Sequence, residues 1–122
     1  MRGGNRQTIG LWGEQRAADF LMAKGYRILD SRFRVREGEI DLVASSGGFL
    51  CFVEVKLRKD ASMGEAREYV TPSKQRKIRT AAVRYLMQYP SDLQPRFDVV
   101  EIYAPQGTKT EQPIIRHWEN AF

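Results

Sequence analysis

The sequence predicts an α/β fold in which helices cover a single sheet, and three observations carry that reading. Apolar residues recur at helical spacing in two segments, residues 9–24 and 71–89. Between them, "GEIDLVASSGGFLCFVEVKL" (residues 38–57) contains two strand-like runs joined by small turn-forming residues. After the second helical segment, "RFDVVEIY" and "IIRHW" add two further strand-like stretches. At 122 residues the chain suits one domain over residues 1–122, long enough for a sheet with helices against it and short for two independent cores.

Taken in order, residues 1–8 hold two Gly and no apolar pattern after Met1, so a loose basic tail is expected. In residues 9–24, Leu11, Ala17, Ala18, Leu21 and Met22 form a helical stripe, and Gly25 supplies a left-handed stop. "YRILDSRFRVR" then alternates apolar and polar residues with a break near Asp30 and Ser31, the pattern of a strand with a bulge or bend. "EIDLVA" and "FLCFVEVKL" are joined by Ser45, Ser46, Gly47 and Gly48, which fits an antiparallel hairpin. Residues 49–55 are apolar toward both faces, as expected of a central strand covered on both sides. Residues 58–69 have no period and are expected to form a loop. The second helix is capped by Thr71, has Pro72 at its first position, and carries Ile78, Ala82, Tyr85, Leu86 and Tyr89 on its apolar stripe. Residues 90–95 connect it to a fourth strand, and "APQGTKTEQP" leads to a fifth.

Apolar residues make up 42% of the chain and charged residues 29%, the balance of an ordinary soluble protein. No apolar run approaches the roughly 20 residues that cross a bilayer, and the N-terminal segment has no secretory-type apolar core. The expected location is cytoplasmic, with no membrane partner. Cys51 is the sole cysteine, so neither an internal disulfide nor a structural zinc site can form, and its expected role is core packing. The net charge of +5 favours an anionic partner, of which nucleic acid is the commonest large one. Residues 71–90 hold Lys74, Arg76, Lys77, Arg79 and Arg84 without an acid, and Arg27, Arg32, Arg34 and Arg36 crowd the first strand. These positions fit either a phosphate-tracking surface or a solvated basic face.

The charges of residues 38–57 are the chemically informative ones. On the third strand, Glu54 and Lys56 share one face while Cys51, Val53, Val55 and Leu57 share the other. A hairpin closing symmetrically about Ser46 and Gly47 would set Ala44 opposite Phe49, Asp41 opposite Phe52 and Glu39 opposite Glu54. Asp41 and Glu54 would then be diagonal neighbours with Cβ atoms about 7 Å apart. Two carboxylates so placed can share a hard divalent cation, which also offsets the cost of burying them. Lys56, one step beyond on the same face, can orient a water or stabilise charge on a phosphate. Glu14 falls between Leu11 and Ala17 on the apolar stripe and is expected to point inward, toward the same cluster. Lys74 and Gln75 lie one turn before Ile78, at a helix N-terminus that attracts anions. A solvent-facing Glu54–Lys56 ion pair is the simpler reading of those two residues alone. It does not account for acids on the first helix and both hairpin strands together with lysines on the third strand and second helix.

These segments carry a resemblance. "GEIDL" followed by "FVEVK", preceded by "GEQRAADFLMAKGY" and followed by "VTPSKQRKIRTAAVRYL", resembles the YraN-like family. That bacterial group belongs to the PD-(D/E)xK, restriction-endonuclease-like superfamily, near the archaeal Holliday junction resolvases, and the likeness runs from about Leu11 through "RFDVV". The resemblance implies an αβββαβ core with a mixed central sheet flanked by helices, and a metal-dependent phosphodiester hydrolase. It makes Asp41 and Glu54 metal ligands, Lys56 the water-orienting lysine and Glu14 the acid of the first helix, with Lys74 matching more loosely. Ile40 stands where the superfamily pattern has Pro. Glu39 is a rival ligand or base, and Gln75 a candidate supporting group.

The expected function is that of a Mg²⁺- or Mn²⁺-dependent endonuclease acting on DNA, branched or otherwise structured, with Arg34, Arg36, Lys74, Arg76 and Lys77 on the phosphate backbone. A two-fold substrate would suit a homodimer. The alternative is a DNA-binding or scaffolding module that retains the fold without turnover. His117, the only histidine, is expected to be a structural or surface residue, and "SSGG" lacks the Lys-Ser/Thr ending of a phosphate-binding P-loop.

Overall fold

The computed structural model describes residues 6–59 and 70–122. The expected loop over residues 58–69 therefore lies outside the described residues except for Arg58 and Lys59, as do residues 1–5 of the expected tail. The elements run α1 (Arg6–Ala23), β1 (Arg27–Val35), β2 (Gly38–Ser46), β3 (Phe49–Arg58), α2 (Pro72–Gln88), β4 (Gln94–Tyr103), a short 3₁₀ turn (Gly107–Lys109) and β5 (Ile114–Trp118). This is an αβββαβ order extended by one strand. Helix α1 begins at Arg6, ahead of the expected Ile9, so residues 6–8 belong to the helix rather than to the tail.

The strands form one sheet in the order β1-β2-β3-β4-β5. The β1–β2, β2–β3 and β4–β5 pairs are antiparallel and β3–β4 is parallel, so the sheet is mixed. Parallel neighbours need a long crossover, which the connection containing α2 supplies. The sheet is buried on both faces. On one side Leu42, Ala44, Cys51, Val53, Val100 and Ile102 pack with Ala17 and Leu21 of α1. On the other, Val43, Leu50, Phe52 and Val99 pack with Ile78, Ala81, Ala82 and Tyr85 of α2. The Phe52 ring stacks on Phe97 at 5.6 Å and meets Tyr85 edge-on at 5.8 Å. Each such large side chain contributes about 1.5–3 kcal/mol by leaving water. Cys51 is a buried free thiol, whose pKa burial pushes up to about 11.

Small residues set the helix positions. A Cβ on Gly13 would lie 3.0 Å from the Leu57 side chain, so α1 meets the sheet through Gly13, Ala17, Ala18 and Leu21. Leu11 and Met22, expected on the inward stripe, flank this strip and are about half exposed. Helix α1 ends at Gly25, whose φ of +94° allows Tyr26 N–H to reach back to the Leu21 carbonyl at 2.9 Å. In α2, Thr71 Oγ1 accepts from Lys74 N–H at 3.2 Å, as its sequence suggests. Ala81 is buried where Tyr89, expected on the stripe, is about half exposed. A Cβ on Gly38 would stand 3.1 Å from the Lys77 carbonyl oxygen, so Gly38 permits α2 to close on β2.

Two strand irregularities differ from expectation in detail. The β1–β2 register shifts between Ile28 and Asp30, just before the expected break at Asp30 and Ser31, and Arg32 adopts φ +52°. The hairpin turns at Gly47 and Gly48, pairing Ser46 with Phe49, Val43 with Phe52 and Leu42 with Val53. The expected pairs Ala44–Phe49, Asp41–Phe52 and Glu39–Glu54 are therefore corrected. Gly47 takes φ +57°, which costs glycine little, so both serines stay in the strand and the turn moves one residue onward.

Beside the N-terminal half of β3, a polar cluster ties β4 to the end of α1, to β5 and to the C-terminal residues. Asp98 is fully buried and receives Arg96 Nε–H at 2.9 Å, Arg96 Nη2–H at 2.8 Å and the Asn120 N–H at 3.0 Å. His117 Nε2 lies 2.8 Å from Asp98 Oδ2 and Lys24 Nζ lies 2.8 Å from His117 Nδ1, contacts that fit a ring with its proton on Nε2. Arg96 also donates to the Tyr26 hydroxyl at 2.7 Å. His117 is thus structural, as the sequence suggests. Removing one partner of a buried pair strands the other. Asp98→Ala is expected to cost about 3–5 kcal/mol in urea unfolding, and Asp98→Ala combined with Arg96→Met clearly less than the sum of the two single changes; additive losses would show that the cluster is not coupled.

Candidate functional site

The paired register of β2 and β3 ends at Leu42 and Val53. Beyond it, Asp41 Oδ2 accepts the Val55 N–H at 2.8 Å, so a side chain takes a backbone donor at the point where the strands part. This bond pins the Asp41 carboxylate against β3 beside Glu54. The two acids line a cleft of about 220 Å³ with Gly38, Glu39, Lys74, Lys77 and Ile78. Glu54 is buried, and the Lys74 Nζ stands 2.6 Å and the Lys56 Nζ 3.6 Å from its Oε1. Helix α2 delivers Lys74 from its first turn, where the Thr71 cap fixes the backbone.

Charge at this cleft is poorly compensated on one side. Burial, reinforced by the charges of Glu54 and Glu14, pushes the Asp41 carboxyl up to about 7 despite the Val55 N–H. Burial lowers the Lys56 ammonium, more than the Glu54 charge restores. Burial also works against the Lys74 ammonium, but its hydrogen bond to Glu54 and the charge of that group leave it raised. A hard divalent cation fits this donor set: two carboxylates face one cleft, one is oriented by a backbone N–H, and an ammonium ion already sits against the other. Among the described residues no group of three His, Cys, Asp or Glu side chains converges, so water or substrate oxygens would complete the shell.

The remaining expected site residues divide. Lys56 joins the cluster through Glu54. Glu14 lies in a separate cleft with Leu11, Ser31 and Arg32, and Arg32 Nε–H donates to its Oε1 at 2.8 Å. Glu14, expected to reach the Asp41 and Glu54 cluster as a direct or supporting group, has its Oε1 held by Arg32 and acts on Asp41 through its charge. Glu39 lines the cleft but pairs with Arg34 at 3.3 Å, and it is not opposite Glu54 because the register differs from the expected one. Gln75 donates to the Val70 carbonyl at 2.8 Å and so braces the entry to α2. Arg36, Arg76 and Lys77 are exposed, and Arg76 and Lys77 border a shallow depression with Glu37, Ser73 and Thr80. Arg84 is held by Glu37 at 2.7 Å and Arg79 lies over the Phe97 ring at 4.6 Å, so neither is as available to a phosphate.

Two charged residues take places that the sequence did not indicate. Arg32, one of the first-strand arginines that fit a phosphate-tracking surface, adopts a left-handed backbone and is paired with Glu14 instead. Glu101 is fully buried on β4, in register with Lys56 and with Arg58 Nε 3.0 Å from its Oε2. Its signal was an acid inside the apolar run of "RFDVVEIY".

The raised Asp41 carboxyl has a consequence for stability. In an unfolded chain an Asp titrates near 3.9, roughly, whereas folded Asp41 holds its proton up to about 7. The folded state thus binds the extra proton between these values, and the contribution of this group to stability falls as pH rises from about 4 to 7. Asp41→Asn keeps an oxygen for the Val55 N–H without the charge. Its urea-unfolding free energy is expected to match wild type near pH 4 and to exceed it by on the order of 1–3 kcal/mol at pH 8; a variant no more stable at pH 8 would refute the unfavourable charge.

The model of the uncharacterised protein family UPF0102 matches residues 13–102, a span that includes Glu14, Asp41, Glu54, Lys56 and Lys74. A UPF0102 protein of Chlorobium phaeobacteroides is 45% identical over 117 residues, 93% of each chain. One of Symbiobacterium thermophilum is 50% identical over 97 residues, covering 79% of this chain and 82% of its own. One of Acinetobacter baumannii is 44% identical over 102 residues, covering 82% of this chain and 77% of its own. With the family model covering α1 from Gly13, the hairpin, α2 and most of β4, and relatives matching over 79–93% of the chain, this chain belongs to the UPF0102, or YraN-like, family.

Proposed function

We propose that the protein is a Mg²⁺- or Mn²⁺-dependent endonuclease of the PD-(D/E)xK type that hydrolyses phosphodiester bonds in DNA. The observation that carries this reading is the pairing of Asp41 and Glu54 in one cleft, with Lys56 and Lys74 on Glu54 and Asp41 burdened by an unfavourable charge. Such a clustering of perturbed groups marks functional sites more often than structural ones. Asp41 and Glu54 would hold the cation, with the Val55 carbonyl as a further oxygen. The bound ion would lower the pKa of a water and offset charge developing on the phosphate.

The chain's own groups supply the rest. Val55 N–H holds Asp41 Oδ2 in place, so its carboxylate meets a ligand without rotating. Lys56, tethered to Glu54, is placed to orient a water or to stabilise a phosphate oxygen. The exposed Arg36, Arg76 and Lys77 supply phosphate contacts around the cleft, whereas Arg34 must first leave Glu39. Affinity for DNA should accordingly fall steeply with salt. Among the described residues no helix is long and apolar enough to cross a membrane.

The test is to incubate the purified protein with junction, flap, single-stranded and duplex DNA plus Mg²⁺ or Mn²⁺, beside Asp41→Ala and Glu54→Ala. Wild type is expected to cleave at least one substrate, chelation of the metal to stop it, and each variant to lose about a hundredfold or more in rate. Equal cleavage by wild type and variants would identify a contaminant and sink the assignment. DNA binding without cleavage under all conditions would instead establish a DNA-binding module that keeps the fold.

A further inference from the structure

Among the described residues the shortest ion pair in the cleft is that between Lys74 Nζ and Glu54 Oε1, at 2.6 Å, against 3.6 Å for Lys56. The two lysines differ in freedom as well as distance. The Lys74 side chain is 42% exposed and that of Lys56 26%, so Lys74 has the more open path to solvent. Its backbone sits in the capped first turn of α2, where N–H groups favour an anion, while its side chain is held at the tip by Glu54. Lys77, on the next turn, lines the same cleft.

We propose that Lys74 is a displaceable counter-ion of the cation site: its ammonium competes with a divalent ion for Glu54 and, once displaced, becomes a ligand for a substrate phosphate. The inference rests on the cation-site reading above and adds a regulatory consequence to it. A monocation held against one of two ligands opposes entry of a divalent ion by direct repulsion. An anion that draws Lys74 away removes that repulsion, and linkage makes the effect reciprocal, so cation and phosphate strengthen each other's binding. Lys56 is more deeply set and farther from Glu54, and it stays on the strand as the fixed lysine. The cleft would therefore load its ion poorly by itself and well with nucleic acid present.

Mn²⁺ titration of the full chain tests this without any cleavage readout. Lys74→Met is expected to tighten Mn²⁺ about tenfold, while Lys74→Arg and Lys77→Met stay within about threefold of wild type. Replacing chloride by sulfate at constant ionic strength, as a stand-in for phosphate, should tighten Mn²⁺ on wild type and leave Lys74→Met unmoved. Wild-type-like circular dichroism and the Lys74→Arg behaviour exclude misfolding as the cause. Unchanged or weaker binding by Lys74→Met, or an equal gain in Lys77→Met, would overturn the role of Lys74. Glu54→Gln separates the two levels: if it binds Mn²⁺ as tightly as wild type, or if neither wild type in sulfate nor Lys74→Met binds any, the cation site itself fails.

Discussion

Everything in this molecule is arranged around a central strand that must be dry on both faces. The run from Leu50 to Val53 is buried on each side of the sheet, which requires a helix above and a helix below. Helix α1 answers with small residues and a close approach, and α2 answers with Ile78, Ala81, Ala82 and Tyr85. That cover ends before the strand does. Past Val53 the ladder to β2 stops, and the strand continues as Glu54, Val55 and Lys56 under the capped end of α2. The charges lie where apolar cover gives out but exposure to water is still incomplete, an environment in which ionised groups are costly and reactive.

Two acid clusters in the same sheet show how differently such charges can be treated. Burial alone would raise the Asp98 carboxyl, yet hydrogen bonds from His117 and Arg96 hold it below its ordinary value. Asp41 receives the Val55 N–H and lies beside Glu54, and it moves the opposite way. The first arrangement is complete within the chain and serves as a bolt between β4, β5 and the end of α1. The second keeps an unfavourable charge beside another acid, the feature on which the proposed cation site rests.

The elements were largely legible because each has a strong local signal. Thr71 followed by Pro72 announces α2, Gly25 ends α1, and the Ser-Ser-Gly-Gly linker announces a hairpin. What local signals could not give was register. Four small residues permit several turns, and choosing Ser46–Gly47 over Gly47–Gly48 moved Glu39 opposite Glu54 when it actually belongs to Arg34. Asp41 and Glu54 survived that error because the shift of turn kept both acids at the same end of the hairpin. Partner choice was equally hidden. Nothing in spacing tells Glu14 to take Arg32, Gln75 to take the Val70 carbonyl, or Asp98 to collect four donors, since each depends on which segments the fold brings face to face.

The irregular first strand has one more consequence. β1 forms one edge of the sheet, and an edge of unpaired N–H and C=O groups invites another chain to add on. Here the register shift beside Leu29 and the left-handed Arg32 interrupt the row, and Arg27, Asp30 and Arg34 place charge along it. The opposite edge, β5, is only five residues long. Strand addition is thus discouraged at both ends, and any second copy of this chain would have to be met through helices and side chains rather than by extending the sheet.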